Sequence, residues 1–214
     1  MKTPQIPVAR EGYPFIGFAA LCTLVLAVLQ FDLLAFGGLF VTGFVLYFFR
    51  DPERVTPDEE DAVVAPADGK VILIDKVFDD KYLQEHVYKV SIFMNVFNVH
   101  INRVPFSGQV SEVRYSPGNF FAANTEQGAL ENEHCGVVLV TAAKRSLAVV
   151  QMAGLVARRI VCWAQKGDVL ERGQRFGLIR FGSRVDIYVP LQVQIEVSLG
   201  QKVRAGETVL GYFA

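Results

Sequence analysis

The chain has 214 residues, 51% of them hydrophobic, with a mean hydropathy of +0.30 and a net charge of −1 from 21 basic and 22 acidic side chains. That length supports one substantial core, and the balanced charge offers no basic field to gather nucleic acid. The apolar excess is high for a protein that meets only water, and three cysteines without CxxC or zinc spacing (Cys22, Cys135, Cys162) read as small buried hydrophobes of a reducing compartment, with no metal site.

The apolar residues are concentrated at the start, where Asp32 is the one charge between Tyr13 and Phe49. A single helix over that run would extend roughly 55 Å against a hydrocarbon core of about 30 Å. The run therefore predicts a transmembrane helical hairpin, with arms Pro14 to Leu29 and Leu33 to Phe49 turning at Gln30, Phe31 and Asp32. Each arm is near the lower limit of about 17 residues for crossing, so a shallow, re-entrant hairpin is the alternative. Lys2 and Arg10 precede the hairpin, Arg50 and Arg54 follow it, and the turn has no Lys or Arg. The positive-inside rule then puts both ends on the cytoplasmic face of the cell membrane. No small-residue cleavage site follows a single short apolar core, which argues against a signal peptide.

Residues 1–50 are thus read as a membrane anchor, 51–61 ("DPERVTPDEED") as a charged linker and 62–214 as a separate β-rich domain. In that domain short apolar runs such as "YKVSIFMNVFNV", "SGQVSEVRYS" and "RVDIYVP" alternate with Gly, Asn and Pro, the texture of strands and turns. Gly167 with Gly173 and Gly200 with Gly206 form a faint internal repeat. Paired glycine turns of this kind suit a barrel-sandwich arrangement of two facing hairpins, so the fold class is mainly β (α+β). Lipoyl and biotinyl carriers share that pattern, but their modified lysine between methionines is absent.

Three short motifs carry candidate chemistry: "APADGKV" with Asp68, "FNVHINRVPFSG" with His100 and Arg103, and "RFGS" with Gly182 and Ser183. Each has a plain structural reading when taken singly. Asp-Gly is a standard hairpin turn, a histidine in an apolar stretch can be a satisfied core residue, and Gly-Ser can be a bend between strands. His86 and His134 stand in polar, turn-like contexts that suit solvated roles.

Taken together and in order, "YFFRDPER", "APADGKV", "NVFNVHINRVPFSG", "YSPGNFFAANTE", "NEH", "MAGLVARRI" and "FGSRVDIYVP" resemble the phosphatidylserine decarboxylase family, in its short bacterial form. The resemblance implies an inactive proenzyme that cuts itself between Gly182 and Ser183, leaving a large fragment (1–182) and a small one (183–214) that form a heterodimer. It implies a covalent pyruvoyl cofactor derived from Ser183, which binds the substrate amine as a Schiff base, and a membrane phospholipid substrate. By the same match Asp68, His100 and Ser183 are the catalytic residues. The family's motif holds two histidines three apart, whereas this chain has His100 and Arg103, and arginine cannot act as a base near neutral pH. His100 is therefore assigned to substrate protonation and to a share in cleavage. Arg103 becomes a candidate to hold a carboxylate or the lipid phosphate. "NEH" departs from a usual arginine at His134, which has no role assigned. Phe120 and Phe121 are candidates to meet the lipid interface beside the site, with a core role as the alternative.

A decarboxylase needs an electron sink that no ordinary side chain supplies, and a ketone made from serine meets that need. Two rival readings stand beside it: a decarboxylase of a related serine-headgroup ether lipid, and a non-enzymatic, membrane-tethered barrel-sandwich adaptor. Homo-oligomerisation is left open.

Overall fold

The computed structural model describes residues 7–155, 159–180 and 183–214. Part of "MAGLVARRI" and Gly182 of the expected cleavage site lie outside them. Two compact units divide between Glu53 and Arg54.

The first unit is a pair of helices, α1 (Tyr13–Val28) and α2 (Asp32–Phe48), within a residue of the expected arms. A preceding 3-10 turn makes Arg10–Val28 one stretch of 19 residues, long and apolar enough to cross a membrane, whereas α2 has 17. The connection is tight because Gln30 adopts φ +60°. Gln30 N–H donates to Ala27 O and Phe31 N–H to Leu26 O, a pairing that satisfies the last carbonyls of α1 with glutamine in the place usually taken by glycine. Small residues let the helices approach: Thr23 Oγ1 lies 3.2 Å from Thr42 Oγ1, and a Cβ on Gly38 would come within 2.6 Å of Thr23. Cys22 is exposed on this helix and corrects the expectation of three buried cysteines; among a helix pair's outward faces there is no core to bury it.

The second unit is built from β1 (Ala62–Val64), β2 (Gly69–Asp79), β3 (Glu85–Met94), β4 (Ile101–Arg103), β5 (Gly108–Ser116), β6 (His134–Val140) and β7 (Ser146–Ala153), with a short helix α3 (Glu126–Glu131) before β6. It continues through β8 (Ile160–Cys162), β9 (Val169–Leu170), β10 (Arg175–Ile179), β11 (Ser183–Pro190), β12 (Val193–Ile195), β13 (Lys202–Val203) and β14 (Val209–Phe213). Eight of these strands pair in the order β13-β2-β3-β11-β7-β6-β5-β9, and two three-stranded sheets, β1-β14-β12 and β4-β10-β8, complete the unit. The result is the mainly β, barrel-sandwich-like domain that the glycine repeat predicts.

The repeat runs deeper than the glycines. Gly200 N–H donates to Val71 O and Gly206 N–H to Ala65 O, while Gly167 N–H donates to Val110 O and Gly173 N–H to Val104 O. Segments 65–71 ("APADGKV") and 104–110 ("VPFSGQV") therefore play the same part in two related halves. They cross each other reciprocally, Val64 N–H to Pro105 O and Arg103 N–H to Pro66 O, both 2.9 Å. Each following strand is bulged at the matching point, between Val71 and Leu73 and between Val110 and Glu112. A bulge bends its strand, so the large sheet bends at matching points of β2 and β5. All four glycines have φ between +75° and +97°, the left-handed region that L side chains enter only with strain.

The core fills the concave side, where Ile92, Met94, Val137, Leu139, Leu147, Val149, Val185 and Ile187 meet residues of the smaller sheets. The far face has a smaller cluster around Val87, Val138, Val150 and Tyr188. Segment 54–61, part of the stretch 51–61 read as a charged linker, falls within the second unit. The Arg172 guanidinium gathers the carbonyls of Pro57, Glu59, Glu60 and Ala62 at 2.5–3.2 Å.

Candidate active site

Ser183 is the first residue of β11 and is fully buried. It lies between Met94 at the end of β3 and Ala153 at the end of β7. Its Oγ is 3.4 Å from the Met94 sulfur, which the side-chain amide of Asn102 approaches from β4 at 3.8 Å. Asn102 Oδ1 in turn accepts from Gln151 Nε2 at 2.8 Å, and Gln151 also donates to Val161 O. The serine thus stands at one end of a buried polar chain inside an otherwise apolar core.

His100 is 2% exposed and leads into the same strand as Asn102, two residues earlier. Its carbonyl accepts from Ile179 N–H, near the end of the segment that runs on to Ser183. His100 thus leads into β4, whose Asn102 shares the Met94 sulfur with Ser183.

Asp68 stands just before β2. Its Oδ1 accepts from Ala205 N–H at 2.8 Å, and its two carboxylate oxygens lie 3.0 and 3.3 Å from Arg54 Nη2. Arg54 bridges onward to Glu207 at 2.9 Å. The register that sets Lys70 opposite Phe93 and Met94 opposite Ser183 puts Asp68 two strands from the serine, about 10 Å between backbones at roughly 4.8 Å per strand. At the related position of the other half Ser107 Oγ accepts from Arg172 N–H at 2.9 Å, so the turn clamp occurs twice and the carboxylate with its arginine once.

Arg103 is 5% exposed, and its Nη1 donates to Gly173 O at 2.8 Å. A Cβ on Gly206 would lie 2.8 Å from Arg103 Cδ, so the side chain runs between the two glycine turns. Phe120 packs on the core, and Phe121 is held through its backbone: Asn132 Oδ1 accepts from its N–H and Asn132 Nδ2 donates to its carbonyl. The same Nδ2 donates to Ala153 O at 2.8 Å, which fastens this segment to the strand beside Ser183. His134 Nδ1 donates to Asn132 O at 2.8 Å, and His86 sits edge-on to Phe78. The neighbouring Cys162 thiol and burial push the Cys135 thiol above its ordinary range, while the Cys135 thiol and the Ala164 carbonyl draw Cys162 down. Among the described residues no group of three or more His, Cys, Asp or Glu side chains could hold a metal ion.

Arg54, Met94, Asn102, Asn132 and Gln151 were not legible as site residues. They are scattered over the chain and belong to residue types that usually serve packing or turns. One signal was available for Arg54: it stands in "RDPER", inside a motif of the resemblance.

Comparison with known proteins agrees with this reading of the motifs. The family model described as phosphatidylserine decarboxylase matches residues 41–211. The chain is 55% identical over 211 residues to a protein of Desulfotalea psychrophila named phosphatidylserine decarboxylase proenzyme, with 99% of each chain covered. Proteins of the same name from Geotalea uraniireducens and Geobacter sulfurreducens are 53% and 52% identical, again over 99% of both chains. The chain belongs to the phosphatidylserine decarboxylase family.

Proposed function

We propose that the protein converts phosphatidylserine to phosphatidylethanolamine and CO2 at a membrane surface, after cutting itself between Gly182 and Ser183 and forming a pyruvoyl group from Ser183. The observation that carries this is the setting of Ser183, a buried serine at the first position of a central strand whose hydroxyl rests against a thioether. A thioether is a weak acceptor, so it orients the hydroxyl without holding its proton tightly.

In the cut, Ser183 Oγ adds to the Gly182 carbonyl carbon as a base takes the hydroxyl proton. The C–N bond between the two residues breaks, the nitrogen receives a proton, and an ester joins them. Removal of the Ser183 α-proton then expels the Gly182 carboxylate, and water replaces the nitrogen, released as ammonia, to leave a ketone. The dry surroundings of Ser183 fit this sequence, since water would otherwise hydrolyse the ester back to serine. The ketone, when present, accepts the electron pair left as the headgroup carboxylate departs. His100 is assigned the proton delivered to the substrate α-carbon, a step worth about 10²–10⁴ in rate, and a share in the cut. Asp68 is assigned to the cut, acting through the groups that separate it from the serine. The contact with Gly173 O supports a bracing role for Arg103 in place of a headgroup role, and Phe121 stays the better candidate of the two phenylalanines to meet lipid.

The two fragments would remain one folded body. Residues 183–214 supply β11 and β13 to the large sheet and β12 and β14 to the sheet of β1, so the small fragment is woven into the large one. The apolar pair α1 and α2 is assigned to anchoring at the membrane, with the second unit on the cytoplasmic face.

Intact mass of the chain purified from membranes tests the proposal. Two species are expected, 1–182 and 183–214, the second with a blocked N-terminus that borohydride labels in the presence of phosphatidylserine. Ser183→Ala is expected to stay uncut and inactive. A single uncut chain that nevertheless decarboxylates the lipid would overturn the reading.

A further inference from the structure

The far face of β11 carries a cluster that the chemistry above does not use. Alternation along the strand points Val185 and Ile187 into the core and Arg184 and Asp186 to the opposite side. There Arg184 Nε and Nη2 lie 2.5 and 3.1 Å from the two carboxylate oxygens of Asp186, and Nη2 also donates to Ser91 Oγ at 2.8 Å. Lys89 Nζ joins the same carboxylate at 3.2 Å. Asp186 and Ser91 are fully buried, face each other in the β11 and β3 register, and Arg184 is 5% exposed.

Burying charges is expensive, and well-packed apolar residues of similar volume usually stabilise a fold at least as well. The placement suggests what the cluster adds. Its β11 members, Arg184 and Asp186, are the second and fourth residues after the expected cut, where an internal strand becomes a chain terminus. Strand termini fray unless tied down, and a reacting group displaced by about 1 Å can lose on the order of 10² in rate.

We propose that Arg184, Asp186, Ser91 and Lys89 form an anchor that holds the new start of the small fragment in register after cleavage, making them positioning residues for the decarboxylation. The proposal rests on the self-cleavage reading. In the uncut chain covalent continuity through residue 182 shares the task; in the cut chain the cluster and the flanking strands β3 and β7 carry it alone. A carboxylate gripped by two oxygens is directional where an apolar contact can slide, so the anchor fixes register as well as depth.

The test compares Asp186→Asn in the full chain with and without Ser183→Ala, which keeps the chain uncut, by hydrogen exchange over residues 184–190. In the cut form the first amides of β11 are expected to exchange about tenfold faster than in the cut parent, with under about threefold change in the uncut pair. Cleavage should go to completion while kcat falls and KM stays near the parent value. Equal acceleration in cut and uncut forms, or none in either, would overturn the anchor. Should Asp186→Asn fail to fold, Ser91→Ala removes one hydrogen bond while leaving the ion pairs, and is expected to repeat the contrast at about threefold. If the parent chain itself is uncut by mass, the self-cleavage reading fails first, and the anchor falls with it for that separate reason.

Discussion

Asp68 and Ser107 hold the same place in the two halves of the β domain, each accepting a backbone N–H across a glycine turn, from Ala205 and from Arg172. A serine is therefore sufficient for the clamp, and the charge at Asp68 with its partner Arg54 is the addition that needs explaining. Asp68→Ser should keep the clamp and lose the carboxylate. Arg54 retains Glu207 at 2.9 Å, so the expected stability loss is about 1–3 kcal/mol, below the 3–5 typical when a buried charge is left alone. Cleavage should slow by about 10² or more. Asp68→Ala should cost about 1 kcal/mol further through the lost acceptor. Thermal unfolding with a time course of fragment formation reads both quantities, and wild-type cleavage by Asp68→Ser would reduce Asp68 to a turn clamp. At this scale Ser183, His100 and Asp68 stand out as candidates in the sequence because they sit in contiguous motifs. Met94, Asn102 and Gln151 do not, since what unites them is a chain of contacts leading to the Ser183 hydroxyl, created only when β3, β11 and β7 pair and β4 of a second sheet packs beside them.

The glycine turns show how far local chemistry reaches into topology. Their spacing announced two related hairpins, and the left-handed backbone at Gly167, Gly173, Gly200 and Gly206 is the physical reason glycine stands there. The wider repeat was less visible: "APADGKV" and "VPFSGQV" share proline at the second place, glycine at the fifth and valine at the seventh, but differ in the residues that invite a chemical reading. Sequence also gave no warning that Arg103 crosses from one turn to the other, a link between halves that exists only once they are packed. The two positions should respond differently to a methyl group. At Gly167 (φ +97°) the space for a Cβ is open, so Gly167→Ala carries backbone strain alone, about 1–2 kcal/mol. At Gly206 (φ +75°) the methyl would also meet Arg103 Cδ at 2.8 Å and push it from its hold on Gly173 O, so Gly206→Ala should cost about 1 kcal/mol more. Matched denaturant titrations would show it, and equal midpoints would mean that Arg103 moves aside without loss.

For the whole molecule, composition separates an apolar start from a β-rich remainder, and the two compact units divide between Glu53 and Arg54. The charged stretch 51–61 looked like a linker because its residues are polar and include two prolines. Polar composition cannot reveal that backbone carbonyls from Pro57 to Ala62 converge on Arg172, or that Arg54 reaches Asp68. Two truncations therefore have different expected outcomes. A chain starting at Arg54 keeps every contact of the β unit described above, so it should cut itself at close to the parent rate and leave the membrane fraction. Its activity should drop more on vesicles than on a dispersed short-chain lipid, because anchoring raises the effective concentration of headgroups and does nothing for a freely diffusing one. A chain starting at Ala62 lacks Arg54 and most of the carbonyls around Arg172, leaving the carboxylate of Asp68 without its arginine and the Arg172 guanidinium largely unsatisfied. It should cut at least about 10² more slowly and unfold earlier. Sedimentation with membranes, fragment formation and activity on the two lipid forms separate these outcomes. If both truncated chains cut alike, residues 54–61 are a tether after all and the arginine beside Asp68 is dispensable for the chemistry at Ser183.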